Sequence, residues 1–415
     1  PQRRFAQTRC AFFLHQLAEL DDPARTLTLT ADDFVRVNPN TGAAPIFRSR
    51  RDADLTLRLY AQHPVLVRHG ALSASTGAQP DVKVWPVKYQ RMFDMTNDSG
   101  LFLKADELQK QGFAPAALNR WRNAAGAEAV PLYEGKMVQM FDHRAADVVV
   151  NVANLHRAAQ QEAIKSAEKT DPHRFPAPQY WVKPSDAALP KGLDYCLAFK
   201  DVTAPTNMRT MIAAMVPASG FGNTLPVLLP EGDMVHANYG LAASLLLANF
   251  SAFAYDFVAR QKVQGQHLNW FVVEQLPVIA PTRFHDPLPA AFAQAMRAAK
   301  LMNGHHPQPT VADFVIPQVL ALTYTAHDMA PFARDLGYVD AAGQVLPPLV
   351  WNDEERRARL AALDALFFWL YGLDANDAAY ILSTFPIVRE QDERAFGRYR
   401  TRDEVLARLA LLASE

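Results

Sequence analysis

Apolar and polar positions alternate most cleanly at Thr26-Leu27-Thr28-Leu29-Thr30, and that period of two predicts a β-strand. The rhythm changes at Asp52, after which Leu55, Leu59 and Tyr60 share one face at helical spacing. Residues 1–22 suit a short helix. Asn38 to Gly42 (NPNTG) is a cluster of turn formers, and residues 70–81 read as a small-residue loop. The stretches 83–95 and 129–144 are aromatic-rich and broken by turns, whereas 145–179 reads as partly irregular and exposed. Residues 194–203 read as a strand, and 209–230 as two strands around the Ser219-Gly220 turn. A helix is predicted from Asn238 to about Val263. It carries Asn249, Ser251 and Asp256 within its apolar run, which fits a buried amphipathic helix better than a membrane span. Pro277, Pro281, Pro287 and Pro289 then mark a connector. Helical patterns follow at 311–337, 353–373, 374–385 and 402–413, with Asp374 and Thr401 as candidate N-caps. The aromatic segment Phe367–Leu373 (FFWLYGL) reads as core. The fold class expected is α+β: a mixed α/β region with short strands, then a mostly helical C-terminal region.

Composition narrows the function classes. The chain has 415 residues, 49% of them hydrophobic and 20% charged, enough for two or three globular domains. Its net charge is −1, so attraction to nucleic acid has to come from local patches. The two cysteines, Cys10 and Cys196, lie far apart, which fits a reducing compartment and not a zinc site. The amino-terminal stretch lacks a clear signal peptide, and a cytoplasmic location without a membrane is expected. The initial proline hints at a piece of a longer chain.

Several catalytic signatures are missing from the sequence. There is no P-loop, no GxSxG and no HExxH. Gly220-Phe221-Gly222 sits between predicted strands and reads as a turn, not a dinucleotide fingerprint. His305-His306 lies in a polar loop with no spaced partner ligands.

Three polar clusters remain. Arg48, Arg50 and Arg51 precede a helix, where arginine forks and backbone donors can meet phosphate; Asp52 and Asp54 allow a salt-bridged helix start instead. Lys136, His143 and Arg144, beside Tyr133, can hold phosphates, or they can belong to a hairpin in which Asp142 pairs with Arg144. Arg260, Gln261, Lys262, Gln264, Gln266, His267 and Asn269 surround Gly265 between two apolar runs. Arginine and lysine pair with guanine edges, and glutamine and asparagine with adenine edges, so this set has the residue types of base readout. A solvated loop whose cations complement a helix C-terminus is the alternative.

Six strings in the same order carry a resemblance: NPNTGAAPIFRSRRDADLTLRLY, KYQRMFDMTNDSGLF, PLYEGKMVQMFDHR, TNMRTMIAAMVPASGFGNTLPVLL, ANFSAFAYDFVARQKVQGQHLNWFVVEQLPV and FPIVREQDERAFGRYRTRDEVL. Together, from about Asn38 to about Leu406, they resemble the C-terminal target-recognition portion of type IIG-like and phage-defence N6-adenine DNA methyltransferases. The family's S-adenosylmethionine loop and Asn-Pro-Pro-aromatic motif are absent; Asn38-Pro39-Asn40 lacks the second proline and the aromatic. The resemblance therefore implies a duplex-DNA reader without its catalytic core. S-adenosylmethionine is expected in that core, in the same or a separate chain, and no cofactor in this one. It also implies the division 1–40 (connector from the core), 41–285 (target recognition) and 286–415 (helical domain). The three polar clusters become candidate DNA contacts, and relatives carry a Gly-Gly pair where this chain has Gln264-Gly265. On this reading Arg260→Ala or Lys262→Ala weakens DNA binding with little loss of stability. The rival function is a scaffold that docks a methyltransferase or nuclease partner through the apolar LDALFFWLYGL face.

Overall fold

The computed structural model describes residues 6–70, 72–73, 77–150, 159–187, 189–231, 236–304 and 307–413. The fold is α+β, with small, mostly antiparallel sheets in the first half and a helical C-terminal region. His305 and His306 lie outside the described residues.

The alternating Thr26–Thr30 segment is a strand, paired antiparallel to Gln7–Ala11. The helix expected at the N-terminus is absent from the described residues: Gln7–Ala11 is extended, and only Leu17–Asp21 forms a 3-10 turn. The Arg50–Gln62 helix is capped by the Ser49 hydroxyl, which accepts from Asp52 N at 3.1 Å, and it buries Leu55, Leu59 and Tyr60.

Two sheets organise the middle of the chain. One has the order Ala213–Pro217, Tyr195–Phe199, Val227–Pro230, Val87–Gln90. The two strands expected on either side of the Ser-Gly turn therefore do not pair with each other; Tyr195–Phe199, buried at every position, lies between them. The second sheet runs Trp181–Val182, Glu128–Tyr133, Arg120–Asn123, Phe113–Ala116, and Gly220–Phe221 joins Glu128–Tyr133 in parallel. A Cβ on Gly220 would lie 2.5 Å from Val182 Cγ2, and one on Gly222 2.8 Å from Met95 Sδ. These glycines permit close sheet packing, and the segment read as a turn is instead extended, with Gly220–Phe221 a strand and Gly222 bridged to Phe93.

The long helix expected at 238–263 is two helices, His236–Ser251 and Phe253–Lys262, bent by 66° at Ala252. No single described helix is long and apolar enough to cross a membrane. Asn249 and Asp256 are both fully buried, and each is satisfied. Asn249 donates to Tyr371 Oη (2.7 Å) and accepts from Ile279 N (2.8 Å).

The main apolar cluster runs from Val37 to Leu412 and continues through the proline-rich stretch. Pro277 bridges to Val65, and Phe284 packs on Trp85 and Phe367. Phe367, Phe368, Leu370 and Tyr371 are core residues. Asp374 caps the Ala375–Ser383 helix as expected; Thr401 lies inside the Arg400–Leu412 helix and caps nothing.

Candidate nucleic-acid interface

The three polar clusters separate by exposure and partners. Lys136, His143 and Arg144 do not form a contact surface. Arg144 is fully buried and donates five hydrogen bonds: to the carbonyls of Asp171 (3.0 Å), Arg174 (2.9 Å), Lys169 (3.0 Å) and Thr325 (2.9 Å), and to the Thr325 hydroxyl (3.0 Å). His143 is equally buried, with Nε2 3.0 Å from Asp328 Oδ1. Asp142 pairs with Lys169 Nζ at 2.5 Å, not with the Arg144 guanidinium. Lys136 is half-buried, donating to Ala159 O (3.1 Å) and pairing with Glu134 (3.0 Å). This cluster joins the 133–149 region to residues 169–174 and 325–328.

The arginine cluster divides. Arg51 lies 4.1 Å over the Tyr380 ring and donates to Asn376 O (3.1 Å), which docks its helix on Ala375–Ser383. Arg48 and Arg50 are exposed and pair with neither Asp52 nor Asp54; Arg48 lies 5.9 Å from the Phe13 ring centroid. Asp52 is turned inward and accepts from Tyr380 Oη at 3.0 Å. The salt-bridged helix start is therefore not formed. Arg50, in the first helical turn, opposes the helix dipole without a carboxylate partner among the described residues.

The third cluster also divides, and in an ordered way. Arg260 and Lys262 turn inward. Arg260 donates to Thr384 O (3.1 Å), Met208 O (2.8 Å) and Asn207 O, and lies 3.9 Å over the Phe385 ring. Burial brings its guanidinium pKa down to about 10. Lys262 Nζ donates to Val37 O (2.6 Å) and Gln275 O (3.2 Å), 4.9 Å over Tyr60. Gln261 accepts from Thr56 Oγ1 (3.2 Å). The expectation that Arg260 or Lys262 can be truncated with little loss of stability is corrected: both clamp distant backbone segments.

Between these clamps and the next apolar segment, residues 264–267 are exposed. The far end is fixed by backbone bonds, Thr203 N to Gln266 O (3.0 Å) and Leu268 N to Asp201 O (2.7 Å), with Leu268 fully buried. His267 Nδ1 lies 3.4 Å from Asp201 Oδ2. Gln264 and Gln266 have no side-chain partner among the described residues, and the Asn269 side chain does not cap the short helix it precedes. Nothing lies within 4 Å of a Cβ on Gly265, so the loop tip is open on that side.

Two grooves border Gln264 of this loop, and one of them also reaches Arg48. One, about 360 Å³, is lined by Phe13, Arg48, Pro205, Arg260 and Gln264. The other, about 140 Å³, lies between the 38–47 turn and Gln261, Lys262, Gln264 and Phe271. Phe271 is 56% exposed at its rim. The 38–42 turn is itself anchored: Asn40 N donates to Gln275 Oε1 (3.0 Å), and Asn40 Nδ2 to Val67 O (3.0 Å). Asn38-Pro39-Asn40 thus acts as a structural pin.

Residue types alone missed Asp201, Arg209 and Asp256. Asp256, fully buried, accepts from Arg209 Nε (2.9 Å), Thr210 N (3.0 Å) and Met211 N (2.8 Å), and fixes the start of the helix that delivers the loop. Its one signal was a carboxylate inside an apolar run.

Lys262 gives a pH prediction. Burial outweighs its two carbonyl acceptors and brings the ammonium from the ordinary 10.5 down to about 7. Between those values the unfolded chain holds a proton that the folded protein has released. Stability is therefore expected to rise with pH across that window, by at most about 1.4 kcal/mol per unit, and Lys262→Met to flatten the rise. Denaturant midpoints from pH 7 to 9.5 check this; equal slopes in both proteins reject it.

No family model, curated protein or solved structure matches this chain.

Proposed function

We propose that this chain is the duplex-DNA-reading, target-recognition part of an N6-adenine DNA methyltransferase of the restriction–modification or phage-defence kind. It positions a site for a catalytic core that it does not itself supply, and S-adenosylmethionine belongs to that core. The observation that carries the reading is the shared groove. Arg48 and Gln264, remote in sequence, line one groove, with an outward arginine on one side and an amide without a side-chain partner on the other. Arg48 and Arg50 hold phosphates and set register; Gln264, Gln266, His267 and Asn269 reach base edges. The near-neutral net charge fits, because the cationic contribution is local.

Anisotropy of labelled random-sequence duplexes at two salt concentrations tests this. Affinity is expected to fall steeply with salt as counterions are released, and Arg48→Ala/Arg50→Ala to reduce the log–log slope by about two. Gln264→Ala/Gln266→Ala is expected to leave the salt slope intact and relax the sequence preference selected from the pool. Salt-independent binding, or a slope unmoved by the arginine pair, sinks the proposal. The scaffold alternative has less support, because the aromatic face it needs (Phe367, Phe368, Leu370, Tyr371) is buried in the core.

A further inference from the structure

A second cavity, about 400 Å³, lies away from the loop, under one face of the Asp353–Leu370 helix. Asp353, Arg356, Arg357, Leu360, Ala361 and Asp364 line it at spacings of one, three or four, a single helical stripe. The opposite walls come from Met140, Met208, Phe253 and Val388. This volume and mixed lining are those of small-molecule sites.

Two charged groups in the cavity have bonding capacity left over. Asp364 is only 6% exposed; its Oδ1 accepts from Phe253 N at 2.9 Å, and its Oδ2 has no partner among the described residues. That oxygen is not buried and remains free to accept from a ligand donor. Although burial raises this carboxyl to about 6, it is still mostly ionised at neutral pH. Arg357 makes no hydrogen bond among the described residues. It forms ion pairs with Glu354 and Asp392, each at 3.7 Å and too long for a hydrogen bond, and lies 4.5 Å over the Phe396 ring, while its Nε is buried without an acceptor. By contrast Arg356 is fully engaged, donating to Leu322 O at 2.6 Å and stacking on Trp351 at 3.7 Å. Arg209 is engaged with Asp256.

Arg357 and Asp364 are two helical turns apart, roughly 10 Å along the axis, with Leu360 and Ala361 between them. A ligand that uses both ends needs acceptors at one end, N–H donors at the other and an apolar, flat middle. We propose that this cavity binds a nucleotide whose base carries an exocyclic amino group, its phosphate on Arg357 and its amino group on Asp364. Guanidinium suits phosphate, and carboxylate accepts from base amino groups. Phe253, Leu360 and Val388 form the apolar walls around the base. The site is separate from the proposed duplex-reading loop and does not depend on it.

Calorimetric titration of the whole chain at pH 7.5 with 5′-AMP, CMP, GMP and UMP tests the assignment. The amino-bearing nucleotides are expected to bind and UMP, whose pyrimidine presents a carbonyl at the corresponding place, to bind at least tenfold more weakly. Asp364→Asn keeps the oxygen that accepts from Phe253 N, so the fold is retained; it is expected to weaken AMP binding on the order of tenfold. Arg357→Gln is expected to weaken AMP binding but not adenosine binding. A short single strand containing adenine distinguishes the two sources of this chemistry. Binding that is equally sensitive to Asp364→Asn identifies an unstacked nucleotide of a strand; binding of the mononucleotide alone identifies a free one. Equal affinity for UMP and AMP, or AMP binding unchanged in both variants, overturns the proposal.

Discussion

Arg144→Met is expected to destabilise the protein by about 3–5 kcal/mol, a large share of a typical folding free energy. The loss has two physical sources. Four backbone carbonyls, those of Lys169, Asp171, Arg174 and Thr325, lose a donor that no water can replace at a fully buried position. Asp328, packed nearby, also loses the attraction of the guanidinium. Arg144→Lys keeps the charge but supplies a compact three-donor head in place of a planar fork, and is expected to recover only a minor part of the loss. Guanidinium denaturation of the three proteins decides the matter. A wild-type midpoint in Arg144→Met rejects the structural role and returns Arg144 to the surface as a candidate ligand contact.

Asp256→Ala is expected to cost a comparable amount, again about 3–5 kcal/mol, by leaving the buried Arg209 cation and the N–H groups of Thr210 and Met211 without their acceptor. Asp256→Asn retains an acceptor but removes the charge, and falls between. The double variant Arg209→Met/Asp256→Leu replaces both charges by apolar groups and is expected to be more stable than Asp256→Ala alone. A double-mutant cycle on thermal midpoints measures the coupling; additive single effects reject a direct pair. The same cycle reports on the loop, because this pair sets the start of the helix that ends at Lys262.

Local pattern was informative where the deciding contacts are local. Thr26–Thr30 alternates, and it is a strand. Leu55, Leu59 and Tyr60 share a stripe, and they are buried together. Asp374 precedes a helix and caps it. Pattern failed where a distant partner decides. Gln7–Ala11 is extended because Thr26–Thr30 lies beside it. The break at Ala252 has no glycine or proline to announce it; the new helix begins where Phe253 N finds Asp364, a residue of the C-terminal region. The polar clusters show the same division. Their residue types were visible, but the inward turn of Arg260 towards Asn207, Met208 and Thr384, and of Lys262 towards Val37 and Gln275, depends on carbonyls that only the fold brings near. What remains outward, Arg48, Arg50, Gln264, Gln266, His267 and Asn269, is the candidate surface.

The way the 264–267 loop is held has an evolutionary consequence. Its ends are fixed through main-chain atoms, Ala259 O to Val263 N on one side and Asp201 O to Leu268 N on the other, bonds available to almost any side chain. At its tip, nothing lies within 4 Å of a Cβ placed on Gly265. Substitutions at Gln264, Gly265 and Gln266 therefore carry little folding cost, and lineages sharing this scaffold can diversify there first. Variation is expected to concentrate in these positions while Asp201, Asp256 and Leu268 stay constant, so that new preferences arise without a compensating change in the core.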